Sequence, residues 1–357
     1  MGLLEFLRTL FAGVPAAERQ AGREERSSRR GGPRYRRLTR SPITPQGILR
    51  NASGGTAGAG AAFRRLVGRL GLNHVRVRRL LHVPDAYRRF TIAKRGGGSR
   101  DILAPCRALK FVQRRILRRI LQPLDRHPAA HGFRVYRGIR SNAAYHCGKE
   151  MVLSLDLADW FPSITSKRVY GLFRALGWPA NLASVLTRLT TWEGRLPQGA
   201  PTSPTIANLI ARRLDCRLTG LATRRQLTYT RYADDLALSG SAAEVRRVFP
   251  LVCRIIKEEG FELSARKTRF MRRGRRQTVT GLVVNEKAHV PRKYRRRIRA
   301  ALHQLSTGRQ APVSDAERLA VLRELEGHVL FVRSISADHA MPLAVSLAKL
   351  KRQWTAR

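Results

Sequence analysis

From Phe63 onward, the chain alternates between segments whose apolar residues recur at helical spacing and shorter segments with strand spacing. Arginine fills the polar face of the helical segments at 63–83 and 108–124. The predicted helices comprise residues 63–83, 108–124, 166–178, 203–221, 242–260, 292–305, 315–335 and 341–354. The predicted strands lie within residues 87–105, 151–161, 227–240 and 278–284. Because strands and helices lack a regular βαβ alternation, the pattern predicts an α+β core followed by a helical C-terminal region.

The net charge points to a polyanionic partner. Lys and Arg number 70 against 24 Asp and Glu, a formal net charge of +46. A field of that size repels itself unless it is neutralised, so the expected partner is nucleic acid, with an anionic membrane surface as the weaker alternative. The basic residues are densest at 266–300, where 14 Lys or Arg accompany the single acid Glu286.

Other features of the composition exclude several classes of protein. The four cysteines lie at least 37 residues apart, which argues against a disulfide framework and a zinc finger. No apolar run reaches about 18 residues, so we expect no membrane span and a cytoplasmic protein. Residues 1–60 hold 11 Arg and 4 Glu with Gly- and Ser-rich stretches, which favours a flexible basic arm over a folded accessory helix.

Acidic residues are scarce, and three of them lie at strand ends. Asp234 and Asp235 are adjacent between two apolar arms, and Asp156 ends the strand that begins near Met151. Three such carboxylates would repel each other unless divalent cations neutralised them. Two Mg²⁺ ions are the usual apparatus for attack of a sugar hydroxyl on a phosphate. An Asp-Asp pair alone is more often a turn or a helix cap.

Five segments, in chain order, resemble the conserved boxes of reverse transcriptases. They are residues 90–97 with Arg100, residues 155–164 around the first aspartate, the Leu-Pro-Gln-Gly box at 196–204 with Asn208, the Tyr-x-Asp-Asp box at 232–235, and residues 260–263 with Lys267. Two shorter elements, residues 142–146 (Asn-Ala-x-x-His) and 279–281 (Val-Thr-Gly), are similar to elements of bacterial retron reverse transcriptases.

The resemblance implies a right-hand polymerase fold, with fingers and a palm built from an antiparallel sheet and helices, and a helical thumb. We expect a basic N-terminal extension at residues 1–60, fingers and palm at 61–285, and an RNA-binding thumb at 286–357.

The resemblance also assigns a catalytic set. Asp156, Asp234 and Asp235 would hold two Mg²⁺ ions, and Lys267 would be the general acid for the pyrophosphate or would only bind phosphate. The residues expected to bind the incoming dNTP are Lys94, Arg100, Asp159, Phe161, Gln198 and Gly199. Phe161 would exclude a 2′-hydroxyl or would simply be core. Asp159 would meet the triphosphate through its backbone or would cap the following helix.

A third group of residues is expected to contact RNA. It comprises Asn142, His146, Val279, Thr280, Gly281, Arg292, Lys293 and Arg296. Asn142 and His146 lie one helical turn apart and would either recognise a structured RNA or form a buried pair that braces the palm. Thr280 would face RNA, or Gly281 would merely end a strand.

The implied function is that of a retron reverse transcriptase. Such an enzyme binds a cognate noncoding RNA, starts from the 2′-hydroxyl of an internal guanosine and copies part of the RNA into single-stranded DNA that stays branched to it. The resemblance also implies dNTP substrates, a role in antiphage defence and an effector protein encoded nearby. The alternatives are a group II intron-like or other bacterial reverse transcriptase with a 3′ primer, and an RNA-binding scaffold without catalysis.

Overall fold

A computed structural model describes residues 43–46, 56–83, 86–93, 98–308 and 314–355. Most of the predicted N-terminal extension, and Lys94, lie outside these ranges. Ile43 lies inside them. Its side chain is buried in the main core and its amide donates to the Arg119 carbonyl at 3.0 Å.

Helices form most of the described chain. They are α1 (Thr56–Arg69), α2 (His74–Leu80), α3 (Arg107–Ile116, continued by a π-helical turn at Leu117–Leu121), α4 (Ile139–Ala144), α5 (Ser166–Ala175), α6 (Ala180–Thr190), α7 (Ser203–Ile210), α8 (Arg212–Arg224), α9 (Ala242–Glu258), α10 (Arg292–Ser306), α11 (Asp315–Ile335) and α12 (Ala337–Thr355). Side-chain caps begin several of them, because an exposed helix start leaves amides without partners. Asn73, Thr165, Ser241 and Ser314 supply these caps.

The strands form three antiparallel sheets. They are β1 (Tyr87–Ala93), β2 (Ser99–Pro105), β3 (Met151–Asp156), β4 (Thr228–Tyr232), β5 (Asp235–Gly240), β6 (Arg269–Arg272), β7 (Thr278–Val279) and β8 (Leu282–Val283). The central sheet has the order β4-β5-β3-β6, while β1–β2 and β7–β8 are separate hairpins.

Each face of the central sheet contributes to a different hydrophobic core, because side chains alternate along a strand. Leu153 and Leu238 pack into the main core with helices α1–α3 and α5–α9. Val152 and Ala237 point the other way and join a second core formed by α4, the β7–β8 hairpin and the C-terminal helices. Asp156 and Asp235 follow the same alternation and therefore belong to the second face.

The structure refines several predicted elements. The segment 63–83 forms two helices because Gly71, at φ 69°, ends the first. Residues 278–284 form a two-residue hairpin instead of one strand, with Thr280 and Gly281 at positive φ in its turn. Helix α6 was not predicted. No helix among the described residues is long and apolar enough to cross a bilayer.

Candidate active site

The three predicted catalytic aspartates meet at one end of the central sheet. The β3–β5 register places Asp156 opposite Asp235. Asp234 lies in the two-residue turn between β4 and β5, and its carbonyl accepts a hydrogen bond from the Leu157 amide at 3.0 Å. The other turn residue, Ala233, has φ 58°, a conformation that costs energy for a residue with a β-carbon. We call residues 232–235 the catalytic turn.

Burial and mutual repulsion perturb these carboxyl groups. Burial, and then the charge of Asp156, raise the pKa of Asp234. Burial, followed by Asp234 and Asp156, raises the pKa of Asp235 to about 7. Lys267 compensates part of the charge, since its Nζ donates to both oxygens of Asp156 at 2.7 and 2.8 Å. Across the described ranges, no three Asp, Glu, His or Cys side chains are already gathered as a metal-ligand cluster.

A cleft of about 330 Å³ opens in front of the catalytic turn. Its walls combine residues predicted for catalysis, for nucleotide binding and for RNA contact. The lining includes Arg100, Phe133, Asn142, Asp234, Asp235, Thr280 and Gly281. Segments that are far apart in the sequence therefore converge on one concave site, as expected of an active site.

The Leu-Pro-Gln-Gly loop packs directly on the β1–β2 hairpin. The Leu103 amide of β2 donates to the Gln198 carbonyl at 2.8 Å. Gly199 has φ 128°, and a β-carbon there would lie 2.7 Å from the Leu103 carbonyl oxygen. Only glycine allows so close an approach. Arg100 is exposed on the same strand.

Asp159 and Phe161 follow β3. Asp159 is exposed at φ 44°, and its carbonyl accepts from the Ser163 amide at 2.8 Å. The cap of the following helix is Thr165, whose Oγ1 accepts from the Arg168 amide. The expectation that Asp159 caps that helix is therefore wrong. Phe161 is half-buried, with its ring centroid 6.3 Å from that of Phe133 on the wall of the cleft.

Asn142 and His146 lie inside the protein. His146 is fully buried, and its ring nitrogens each lie 2.7 Å from a hydroxyl, Ser239 Oγ and Thr230 Oγ1 of neighbouring strands. Burial lowers the pKa of His146 to about 3, so the ring is neutral. Asn142 is 1% exposed, and its Oδ1 accepts no hydrogen bond within the described part of the chain. This geometry favours the bracing alternative for His146.

The remaining predicted RNA contacts differ in exposure. Val279 is buried, whereas Thr280 and Gly281 lie at the tip of the β7–β8 hairpin and reach the cleft. Thr280 Oγ1 donates to the Ile139 carbonyl at 3.4 Å. Arg292, Lys293 and Arg296 are exposed on one side of α10, where they line a shallow groove.

Arg231 and Asp215 are not among the site residues predicted from the sequence. Both side chains are fully buried and form an ion pair behind the catalytic turn. The sequence does contain a sign of this buried pair, because Asp215 is the only acid in the predicted helix 203–221. A lone acid in a basic amphipathic helix is a candidate for a buried partner.

Comparison with known proteins identifies the family. The reverse transcriptase (RNA-dependent DNA polymerase) model matches residues 92–296. The Retron Mx65 reverse transcriptase of Myxococcus xanthus is 41% identical over 76% of this chain and 67% of its own length. The Retron Ec86 reverse transcriptase of Escherichia coli is 36% identical over 78% of this chain and 86% of its own length.

Among solved structures, a telomerase from Candida albicans in complex with a telomeric RNA fragment aligns with a TM-score of 0.45 at 10% identity, over 74% of this chain and 63% of that one. The family model and the retron relatives carry the assignment. The chain belongs to the reverse transcriptases, and within them to the bacterial retron enzymes, and it is therefore an RNA-directed DNA polymerase.

Proposed function

We propose that Asp156, Asp234 and Asp235 are the catalytic residues and hold two Mg²⁺ ions. The observation that carries this proposal is the register that sets Asp156 opposite Asp235 beside the catalytic turn. The donor set fits the ion, because hard carboxylate oxygens are what Mg²⁺ prefers. Burial, and then repulsion from the neighbouring carboxylates, raise the pKa of Asp234 and Asp235, and a bound divalent cation would offset both effects. Bound Mg²⁺ would lower the pKa of the primer hydroxyl and neutralise phosphate charge.

Lys267 acts beside these carboxylates. In the structure its ammonium neutralises Asp156, and its side chain is 60% exposed. We propose that it protonates the departing pyrophosphate, because an exposed ammonium next to the reacting groups can transfer a proton there. Its binding of phosphate without proton transfer is the alternative outcome.

The incoming nucleotide is assigned to the cleft between the β1–β2 hairpin and the catalytic turn. Arg100, together with Lys94, would neutralise the triphosphate, and the Asp159 backbone would lie against it. Gln198 and Gly199 would contact the sugar or base, since their loop lies directly on β2. Phe161 would exclude a 2′-hydroxyl by its volume.

RNA is assigned to two surfaces. Thr280 and Gly281 reach the cleft from the thumb side, where they can meet the primer end or the RNA. Arg292, Lys293 and Arg296 present a basic helix face that suits phosphates. Val279, Asn142 and His146 would support these surfaces from inside the fold.

The reaction we propose is that of a retron. The enzyme copies part of a cognate noncoding RNA into single-stranded DNA, starting from the 2′-hydroxyl of an internal guanosine, and the DNA product stays branched to the RNA. The match to retron enzymes over most of the chain supports this proposal. We extend it to a role in antiphage defence with an effector protein encoded nearby, on the family resemblance alone.

Co-purified nucleic acid tests the proposal. The protein, co-expressed with RNA from its own locus, should yield DNA covalently joined to RNA through a 2′,5′ linkage at a guanosine. The matched control is Asp234→Asn/Asp235→Asn, which should recover the same RNA without DNA. DNA joined only to a 3′ end would refute the priming proposal and favour an ordinary 3′-primed reverse transcriptase.

A further inference from the structure

Behind the catalytic turn lies a buried charged network whose centre is Arg231. Its side chain and that of Asp215 are both 0% exposed. Arg231 Nε and Nη2 donate to the two oxygens of Asp215 at 2.8 and 2.6 Å, and Tyr229 donates its hydroxyl to the same carboxylate at 2.9 Å. A buried pair of this kind is poor at adding stability, because desolvating two charges offsets most of their attraction. Its presence therefore calls for another explanation.

The third nitrogen of the same guanidinium reaches the site. Arg231 Nη1 donates to the carbonyl of Ala233 at 3.0 Å and to Asn208 Oδ1 at 3.0 Å. Ala233 is the left-handed residue of the catalytic turn, directly before Asp234. A strained turn keeps its shape only if its surroundings determine it, and this hydrogen bond is one of those determinants.

Two further contacts join the guanidinium to the rest of the active site. The guanidinium carbon lies 5.1 Å from the ring centroid of Trp160, the neighbour of Phe161. The second contact is with Asn208, which links the guanidinium to the loop before α4, because its Nδ2 donates to the Gly132 carbonyl at 2.9 Å. Gly132 packs so tightly on the turn that a β-carbon there would lie 2.6 Å from the Ala233 amide nitrogen.

We propose that Arg231, held by Asp215, is a positioning residue that fixes the catalytic turn relative to the nucleotide pocket. This inference rests on the proposed catalytic role of Asp234 and Asp235. Arginine is required because one planar fork must serve Asp215, Asn208 and Ala233 together, while its face meets Trp160. A lysine ammonium has neither the fork nor the face.

The test separates positioning from stability. Arg231→Met combined with Asp215→Leu replaces the pair with apolar side chains, a change that often leaves stability unaltered. Arg231→Lys keeps the charge but loses the fork. The matched control is Arg217→Met on the same helix as Asp215, because Arg217 pairs with Glu258 and Glu259 at the far end of α9.

Steady-state extension of an annealed primer on a generic RNA template is measured against dNTP and Mg²⁺ concentration, with the folded fraction taken from circular dichroism. Both Arg231 variants should lose kcat by on the order of 100-fold, since misplacing reacting groups by about 1 Å costs that much. The Mg²⁺ concentration for half-maximal rate should rise several-fold, while the KM for dNTP changes by less than about threefold. Arg217→Met should keep all three values.

Two results would overturn the positioning role. One is a folded double variant with the kcat and Mg²⁺ dependence of the wild type. The other is a loss of activity that merely follows the loss of folded protein in both Arg231 variants, which would make the pair a stability element only. Asp234→Asn/Asp235→Asn serves as the reference in the same assay. Activity in that variant would refute the proposed catalytic residues and is distinguishable from either result.

Discussion

At the scale of single residues, Phe161 is proposed to discriminate between ribose and deoxyribose in the incoming nucleotide. Its half-buried ring follows the strand of Asp156 and lies 6.3 Å, centroid to centroid, from the ring of Phe133, which lines the cleft. Phe161→Ala should raise the ratio of ribonucleotide to deoxynucleotide incorporation by at least about tenfold, because the ring volume is the barrier. Competitive incorporation on one template measures the ratio. Phe161→Tyr keeps the volume and should keep the ratio. An unchanged ratio in an active Phe161→Ala enzyme would assign the ring to the core.

His146 connects pH to stability. Burial lowers its pKa to about 3, whereas an exposed histidine titrates near 6.5. Between these values the unfolded chain binds a proton that the folded chain does not, so the free energy of unfolding rises with pH and is lost as the pH falls below 6.5. Through this residue, lowering the pH from 6.5 to 5 should reduce the free energy of unfolding by about 2 kcal/mol.

His146→Gln, whose amide can still bond both hydroxyls, should flatten that pH dependence in chemical denaturation. His131 should leave a residual slope, because burial, with nearby Arg137 and Arg134, lowers its pKa to about 4. An unaltered slope in the variant would contradict the buried, neutral state of His146. If His146 braces the palm, initiation on the cognate RNA and extension of an annealed primer should fall together.

At the scale of elements, the Leu-Pro-Gln-Gly loop packs closely against β2 beside the proposed nucleotide site. A β-carbon at Gly199 would lie 2.7 Å from the Leu103 carbonyl oxygen. Gly199→Ala should therefore push the loop away from the β1–β2 hairpin and lower kcat/KM for dNTP by at least about tenfold. Primer extension at varied dNTP concentration measures the effect.

Gly194→Ala is the matched control for this variant. Gly194 also has positive φ, at 73°, but a β-carbon added there would meet no atom of the described residues within 4 Å. It carries the backbone strain without the collision, so its kcat/KM should stay near the wild-type value. Equal losses in both variants would mean that strain, and not the contact with β2, explains the need for glycine.

The spacing of apolar and polar residues predicted an element best where that element has a distinct pattern of its own. The hairpin at 227–240 has two apolar arms and an acidic turn, and the structure forms β4 and β5 there. Helix α6 lacks such contrast, since its buried face includes Thr187 and Thr190 whose hydroxyls bond helix carbonyls. The segment 278–284 looks like one strand because a two-residue turn with Gly281 interrupts it too briefly to alter its apolar pattern.

The candidate site was predictable as far as its motifs are local. Asp156, Asp234 and Asp235 were predicted because the short segments around them resemble reverse transcriptase boxes that occur in the expected order. The Arg231–Asp215 pair was not predictable, because it depends on how α8 packs against β4. The spacing of apolar residues along the chain does not reveal which buried side chains on different elements will meet. The same holds for His146, whose partners come from two strands.

At the scale of the whole molecule, the charge and the two cores serve one task. The second core joins the central sheet to the C-terminal helices through α4. Arg140 donates to the Ser334 carbonyl across that junction at 3.0 Å. The basic face of α10 is thereby held at a fixed place relative to the catalytic turn. A net charge of +46 then favours any phosphate backbone that enters.

This basic face should set the salt dependence of RNA binding. Replacing Arg292, Lys293 and Arg296 with Gln should reduce the magnitude of the slope of log K against log salt by about 2 to 2.7, because each neutralised phosphate contributes about 0.7 to 0.9. The matched control is the Gln triple of Arg246, Arg254 and Lys257, exposed on α9 across the sheet. Equal slopes in the two triples would remove α10 from the binding surface.

The central claim is that a polymerase active site is built on Asp234 and Asp235. Asp234→Asn/Asp235→Asn keeps the size of both side chains and removes two negative charges from a basic protein, so it cannot weaken attraction to RNA electrostatically. The decisive measurement is DNA synthesis on an RNA template, alongside RNA affinity, with one preparation of the variant. We predict that synthesis is abolished while affinity is retained. Primer extension at a rate near that of the wild type would contradict the claim.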